Sequence, residues 1–170
     1  AKTRTNVLIF IGIGANLPTD RYTTPLAACI AAIKSLDKSG LRPCQQSRWY
    51  RSAPIPTSDQ PWFVNGVVRV ETSFAPERIL HALHTIEAEF GRVRDLPNAP
   101  RTLDLDLLDV DGLVTGQESK VHLPHPRIHQ RAFVLLPLAE IAPDWRHPVT
   151  KDGIQEIIAG LEGDQVAEPM

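Results

Sequence analysis

The sequence predicts an α+β fold in which helices pack on one antiparallel sheet. Three observations support this prediction: apolar runs typical of strands, apolar residues at helical spacing, and the order of these segments along the chain. That order is strand, helix, strand, strand, helix, strand, which is the βαββαβ arrangement of ferredoxin-like domains with both helices on one face of the sheet. The less regular segments that follow are expected to form a C-terminal extension of this core.

The first strand and the first helix follow from hydrophobicity. Residues 7–14 are apolar on both faces, which predicts a strand in the centre of the sheet. The stretch Gly12-Ile13-Gly14 could begin a dinucleotide-binding fingerprint, but its third glycine would fall at Leu17, so that match fails. Residues 20–38 carry apolar side chains at helical spacing and are followed by Gly40 as a stop signal, which predicts an amphipathic helix.

The middle of the chain predicts two strands and a second helix. Residues 41–53 and 63–72 have the composition of strands, and residues 76–90 have an apolar helical stripe between an initial proline and Gly91. The segment at 52–62 between the two strands contains three prolines and several small polar residues, so it has the character of a shaped loop. It could be a plain surface connection, or a binding loop or lid.

Alternating Asp and Leu residues at 103–107 form the most informative stretch. A strand has a period of two, so Asp104 and Asp106 share one face. Residues two apart on a strand are separated by roughly 6.6 Å, and two carboxylates at that spacing can hold a pair of divalent ions between them. The alternative is an edge strand with a solvated acidic face. The nearby Arg92, Arg94 and Arg101 favour a metal and phosphate site.

The region after this strand is harder to interpret. Asp111-Gly112 predicts a hairpin turn leading to a strand at 113–114, and residues 132–141 and 153–159 predict two further short helices. Histidines at 122, 125 and 129 have the spacing of metal ligands, but prolines at 124 and 126 interrupt the helix that would align them. A three-histidine zinc site is therefore disfavoured.

Composition excludes several classes of protein. The 170 residues are the length of one domain, and 42% apolar with 22% charged residues is ordinary for a globular protein, which argues against disorder and against a membrane span. A net charge of −2 and the absence of an aromatic RNP signature argue against nucleic-acid binding. Cys29 and Cys44 show no metal or disulfide spacing, so we expect a cytoplasmic protein.

At the level of residue chemistry, two functions remain open. Paired aspartates with flanking arginines would serve a metal-dependent phosphoesterase or a kinase that transfers a single phosphoryl group equally well. A fold of this kind does not separate them, because one fold carries many activities.

Several short motifs distinguish the sequence further. They occur in the order Gly14-Ala15-Asn16-Leu17, Tyr50-Arg51-Ser52-Ala53-Pro54, Phe63-Val64-Asn65, Phe90-Gly91-Arg92-Val93-Arg94, Pro100-Arg101-Thr102-Leu103-Asp104-Leu105-Asp106 and Leu123-Pro124-His125-Pro126-Arg127, followed by Arg131 and Phe133. Together they resemble the 6-hydroxymethyl-7,8-dihydropterin pyrophosphokinase family over residues 6–145, with the segment 100–106 as the most specific. The resemblance implies a ferredoxin-like core in a single domain spanning 1–170. It also implies transfer of pyrophosphate from ATP to the hydroxymethyl group of the reduced pterin, with release of AMP.

The same resemblance implies roles for individual residues. Asp104 and Asp106 match the ligands of two magnesium ions that bridge the ATP phosphates, and Arg92 and Arg101 match arginines that act on the transferring phosphates. The residues matching ATP-binding positions are His84, Glu87, Arg92, Arg94, Arg101, Lys120, His125 and Arg131. His84, Lys120 and Pro126 differ from the residue types expected there.

On the pterin side, Phe63 and Phe133 match an aromatic pair that encloses the ring, and Asn65 matches an amide that recognises its edge. The main chain around Ser52 and Ile55 completes that edge. The implied partners are ATP and 6-hydroxymethyl-7,8-dihydropterin, with neither nucleic acid nor membrane, and with association with a neighbouring folate-pathway enzyme left open. Residues 97–99 replace an Arg-Trp-Gly segment found in many members, so closure of this loop over the nucleotide is expected to differ.

Overall fold

A computed structural model describes residues 8–18, 21–54, 58–91, 102–163 and 165–170. Within these ranges the chain forms six strands and four helices, with a short 3-10 turn at Ile128–Gln130. In chain order they are β1 (Ile9–Ala15), α1 (Pro25–Lys38), β2 (Arg42–Gln46), β3 (Tyr50–Ser52), β4 (Phe63–Glu71), α2 (Pro76–Glu89), β5 (Asp104–Val110), α3 (Ala132–Ile141), α4 (Ile154–Ala159) and β6 (Ala167–Pro169).

One antiparallel sheet contains all six described strands. Its order is β5-β1-β4-β3-β6, and β2 pairs with β4 beside β3. The central position predicted for β1 is confirmed, since β1 lies between β4 and β5. With β2 and β3 together in the place of one strand, the elements from β1 to β5 reproduce the βαββαβ core, and β6 is an added edge strand.

Two hydrophobic clusters cover the two faces of this sheet. On one face, Ile9, Ile11 and Ile13 of β1 pack with buried residues of α1 and α2, as predicted. On the other face, Phe10 of β1 and Leu108 of β5 pack with α3 and α4. The C-terminal extension is thus a third layer, and it places α3 against the strands that carry the polar site described below.

The prediction of one strand at 41–53 is wrong, because the chain leaves the ladder between β2 and β3. In the gap between β2 and β3, Ser47 bonds both backbone groups of Val67 on β4. Its N–H donates to Val67 O at 2.9 Å, and its Oγ accepts from Val67 N at 3.0 Å. Trp49 packs over Gly66, where a Cβ would lie 2.7 Å from the indole ring. The break is therefore a tertiary feature in which a large ring covers a glycine of the neighbouring strand.

Two other boundaries differ from the predictions. Helix α1 begins at Pro25 rather than near residue 20, because the Thr24 side chain caps it by accepting from Ala27 N at 3.1 Å. The turn at Asp111 and Gly112 forms with positive φ at both residues, but residues 113–114 are not a strand. Among the described helices, none combines the length and the hydrophobicity that a membrane crossing requires.

Candidate active site

Two cavities meet at the start of β5. The inner pocket has a volume of about 170 Å³ and the outer cleft a volume of about 370 Å³. Asp104, Asp106 and Arg131 line both. The inner pocket is also lined by Gly12, Gly14, Ser52, Ala53, Pro54, Ser58, Gln60, Phe63, Asn65 and Phe133, and the outer cleft by Leu80, His84, Glu87, Lys120, His122, His125, Pro126 and Arg127.

Glycines of β1 form the floor of the inner pocket. Gly14 is paired with Asn65 of β4 on one side and with Asp104 of β5 on the other, and Gly12 is paired with Asp106. A strand residue on this face would normally project a side chain into the space that the pocket occupies. The Gly-Ile-Gly sequence therefore serves to open a pocket between β4 and β5.

The strand β5 presents its two carboxylates at the boundary between the cavities. The predicted alternation is confirmed: Leu105 is buried in the core opposite, while Asp104 and Asp106 are half-buried and line the cavities. Because β5 lies at an edge of the described sheet, its outer N–H groups need partners from elsewhere. The buried carboxylate of Glu87 on α2 accepts from Leu105 N at 2.9 Å. Because Leu105 lies between the two aspartates in sequence, this bond holds the backbone that carries both of them.

Basic and polar groups surround Asp106. Its Oδ2 lies 3.7 Å from Arg131 Nη1, and its Oδ1 lies 3.9 Å from His125 Nε2. Burial lowers the pKa of His125 to about 4, and the nearby Arg131 cation adds to this effect. The imidazole is therefore neutral at pH 7, so its approach to Asp106 is not an ion pair. Because His125 Nδ1 accepts from Arg127 N at 3.1 Å, the proton lies on Nε2, which faces the cleft as a hydrogen-bond donor.

An oriented amide and two aromatic rings line the inner pocket. The Ser52 hydroxyl donates to Asn65 Oδ1 at 2.5 Å, and the Asn65 Nδ2 lies over Gly14. This bond assigns the carbonyl end of the amide to Ser52 and leaves the amino end facing the pocket floor. Phe63 at the start of β4 and Phe133 in the first turn of α3 line the same pocket, so a flat polar ring would meet both apolar faces and hydrogen-bonding groups.

Asn16 is a positioning residue whose role was not predicted from the sequence. Its side chain is buried just after β1, and its amide donates to Gln60 Oε1 and to Pro61 O, both at 3.1 Å. These bonds attach the loop before Phe63 to the end of β1, with Gln60 at the pocket wall. An asparagine directly after an apolar strand, within the quoted 14–17 motif, was the signal available in the sequence.

The structure brings together nine of the predicted site residues besides the aspartates. Ser52, Phe63, Asn65 and Phe133 line the inner pocket, and His84, Glu87, Lys120, His125 and Arg131 line the outer cleft. Ile55, Arg92, Arg94 and Arg101, together with the loop at 97–99, lie outside the described residues.

The donor set at the boundary suits magnesium together with a polyphosphate. Across the described ranges, no three His, Cys, Asp or Glu side chains are grouped so that they could hold one metal ion, and Asp104 and Asp106 are the carboxylates that line both cavities. Magnesium is commonly held by one or two carboxylates, with water and substrate phosphates completing its octahedral shell. Asp104 and Asp106 therefore fit an ion that arrives with a nucleotide.

This fold and this pair of cavities, joined at two carboxylates, suit an enzyme that brings two substrates together at a metal and phosphate site. A family model described as 7,8-dihydro-6-hydroxymethylpterin-pyrophosphokinase matches residues 10–143. The 2-amino-4-hydroxy-6-hydroxymethyldihydropteridine pyrophosphokinases of Pseudomonas aeruginosa and Methylorubrum extorquens are 42% and 39% identical to the chain. These alignments cover 82% and 90% of the chain and 83% and 92% of the respective relatives. The chain belongs to the 7,8-dihydro-6-hydroxymethylpterin-pyrophosphokinase family.

Longer relatives also contain a similar region. The chain is 37% identical to the folic acid synthesis protein fol1 of Pneumocystis carinii, over 85% of the chain and 19% of that protein. The chain thus spans about a fifth of that relative and most of the two bacterial ones. Family membership makes the chain an ATP-dependent transferase of pyrophosphate to hydroxymethyldihydropterin in folate biosynthesis, and enzymes of this family generally use Mg²⁺.

Proposed function

We propose that the inner pocket binds 6-hydroxymethyl-7,8-dihydropterin, the outer cleft binds ATP, and Asp104 and Asp106 hold two magnesium ions where they meet. One observation carries this assignment: both aspartates and Arg131 line both cavities. A hydroxymethyl group at the mouth of the inner pocket and the phosphates of a nucleotide in the outer cleft would then approach each other at the carboxylates. Such positioning is a main source of rate enhancement in phosphoryl transfer.

The residues of the inner pocket would recognise the pterin ring. Asn65, oriented by Ser52, would bond the polar edge of the pterin, and the main chain near Ile55 would complete that edge. Phe63 and Phe133 would cover the ring faces, in keeping with their places on the pocket wall. The ring is thereby held with its hydroxymethyl substituent toward β5.

The outer cleft supplies charge and hydrogen bonds for the nucleotide. Arg131 adds a cation beside Asp106, the neutral His125 offers its Nε2–H, and His84, Glu87 and Lys120 line the remaining wall. By their motifs, Arg92 and Arg101 are assigned to the transferring phosphates and Arg94 to ATP binding. Magnesium, when bound, neutralises phosphate charge and makes the β-phosphorus more electrophilic.

In the proposed reaction the hydroxymethyl oxygen attacks the β-phosphorus of ATP. The bond from that phosphorus to the oxygen bridging to the α-phosphorus breaks, AMP leaves with this oxygen, and the hydroxyl proton is released. The chain's task is to align these atoms and to hold β5 rigid, which the bond from Leu105 N to the Glu87 carboxylate favours.

The number of metal ions can be counted directly. We would titrate Mn²⁺ into the protein with α,β-methylene-ATP and the pterin, and measure free Mn²⁺ by electron paramagnetic resonance. Two ions per chain are expected for the wild type, and fewer for Asp104→Asn and Asp106→Asn. Asp144→Asn, at an exposed position between α3 and α4, is the control that should still bind two. One ion in the wild type, or two in both site variants, would contradict the assignment.

Three further proposals concern the chain as a whole. We propose that residues 1–170 form one domain, because both hydrophobic clusters share the same sheet. A cytoplasmic location is proposed because neither Cys29 nor Cys44 is in a disulfide. Association with a neighbouring folate-pathway enzyme is proposed from a relative named folate synthesis bifunctional protein in Arabidopsis thaliana, of which the chain covers 20%. Calorimetric unfolding, cell fractionation and co-purification test these proposals in turn.

A further inference from the structure

The C-terminal segment adds a strand beside one wall of the inner pocket. In β6, Ala167 pairs with Ser52 of β3, and beyond the ladder Ala53 N donates to Val166 O at 3.1 Å. At the other end, Met170 N donates to Trp49 O at 3.0 Å. Ser52 and Ala53 line the inner pocket, so this part of the wall is bonded to the tail.

The tail also holds the opposite wall, through the Gln165 side chain. Its Oε1 accepts from Ala132 N at 2.9 Å, and its Nε2 donates to Gln130 O at 2.8 Å. Ala132 is the first residue of α3, and the N-cap residue Arg131 makes no side-chain cap bond. The first N–H groups of a helix lack intrahelical acceptors, so Gln165 caps α3 from a distance in sequence. Arg131 and Phe133, on either side of Ala132, line the inner pocket.

We infer that Gln165 is a positioning residue for pterin binding, which fixes the separation of the β3 wall from the Arg131 and Phe133 wall. The inference rests on the proposed placement of the pterin in the inner pocket. Residue 165 lies beyond the part of the chain that the family model matches, residues 10–143. Its support is the continuity of bonds from Ala53 through Val166 and Gln165 to Ala132.

Removing these bonds should weaken pterin binding more than nucleotide binding. Loss of a helix cap destabilises the start of a helix, so if the ligand must reorder the pocket, pterin affinity should fall on the order of tenfold. Of Arg131 and Phe133, which form the wall held by Gln165, Arg131 alone also lines the outer cleft. The other residues of that cleft come from α2, β5 and the 120–127 segment. A much smaller change is therefore expected for ATP.

The test compares ligand affinities of the full chain by isothermal calorimetry. Pterin would be titrated with Mg²⁺ and α,β-methylene-ATP present, and the ATP analogue would be titrated with Mg²⁺ alone. Gln165→Ala and Gln165→Asn should each lose pterin affinity by about tenfold, because neither side chain reaches Ala132 N. Gln165→Glu should lose less affinity than Gln165→Asn, because one carboxylate oxygen still accepts from Ala132 N at the helix N-terminus, while the bond from Nε2 to Gln130 O is lost and an oxygen faces that carbonyl instead.

Glu168→Gln is the matched control. Glu168 lies on β6 and pairs with Arg51 at 3.7 Å through side chains that are both half exposed, so its removal should leave pterin affinity unchanged. Equal pterin affinity in the Asn and Glu variants, or equal losses for both ligands in the Asn variant, would overturn the inference. The Asn and Glu comparison decides the question even if the alanine variant does not fold. Absence of pterin binding by the wild type would instead contradict the proposed function.

Discussion

Replacing Gly14 by alanine places a methyl group where the floor of the inner pocket meets Asn65. The added Cβ would lie 2.9 Å from Asn65 Nδ2 and 3.7 Å from Val64 O. The first distance is too short for a carbon and a nitrogen that share no bond, and the second is an ordinary contact. The main chain there is a regular strand, so the substitution conflicts with the Asn65 amide and with little else.

The expected loss of pterin affinity in Gly14→Ala can be estimated from the hydrogen bonds that Asn65 would lose. The Asn65 side chain has to rotate away, which breaks the bond from Ser52 and costs about 1 kcal/mol of stability. The pterin edge then loses its amide partner, and an unpaired buried polar group costs about 1–3 kcal/mol, or roughly tenfold to a hundredfold in affinity. Calorimetric titration of the pterin should show this loss, with the Kd for the ATP analogue nearly unchanged.

Two comparisons isolate the cause. In Gly12→Ala, the three atoms nearest the new Cβ all belong to the Leu108 side chain, at ordinary contact distances of 3.5–3.7 Å, so a smaller loss of pterin affinity is expected from the same change two residues away. In an Asn65→Ala background, Gly14→Ala should have little further effect, since the group it displaces is already absent. Wild-type pterin affinity in Gly14→Ala, or full additivity with Asn65→Ala, would refute the assignment of the amide to pterin recognition.

Further predictions concern the metal site, the aromatic wall, the core and a buried thiol. Asp104→Ala and Asp106→Ala should each abolish turnover at saturating Mg²⁺ with an unchanged circular dichroism spectrum. Phe133→Ala should weaken pterin binding by about 1–3 kcal/mol and ATP binding less, measured by calorimetry. Leu83→Ala, in the fully buried core, should lower the free energy of unfolding by about 2–5 kcal/mol in urea titrations. Burial raises the pKa of Cys29 from 9.0 to about 12, so its contribution to stability should be lost as pH rises through 9–12, and native protein should resist labelling there at pH 8.

The parts of the fold that the sequence predicts best are those set by local patterns. The helix at Ala132–Ile141 agrees with its prediction at both ends, and β5 shows the expected alternation of leucine and aspartate. Both depend on hydrophobic periodicity over consecutive residues. The same periodicity is sufficient to identify Asp104 and Asp106 as a pair on one face of a strand.

The predictions of the fold are wrong or missing where contacts between residues distant in sequence determine the structure. The break between β2 and β3 depends on Trp49 packing over Gly66, and no pattern within 41–53 indicates that contact. The turn at Asp111-Gly112 forms as predicted, but residues 113–114 after it do not join the sheet, so the strand predicted there is absent. The role of Gln165 could not be predicted, because its two partners near α3 are more than 30 residues away in sequence.

Product analysis tests the central claim most directly. The protein would be mixed with Mg²⁺, ATP and 6-hydroxymethyl-7,8-dihydropterin, and the phosphorus-containing products followed by ³¹P NMR. Joining of the two cavities at Asp104 and Asp106, together with the family's chemistry, predicts AMP and a pterin diphosphate in equal amounts, formed only when the pterin is present. ADP with a pterin monophosphate, or phosphate released without pterin, would contradict it.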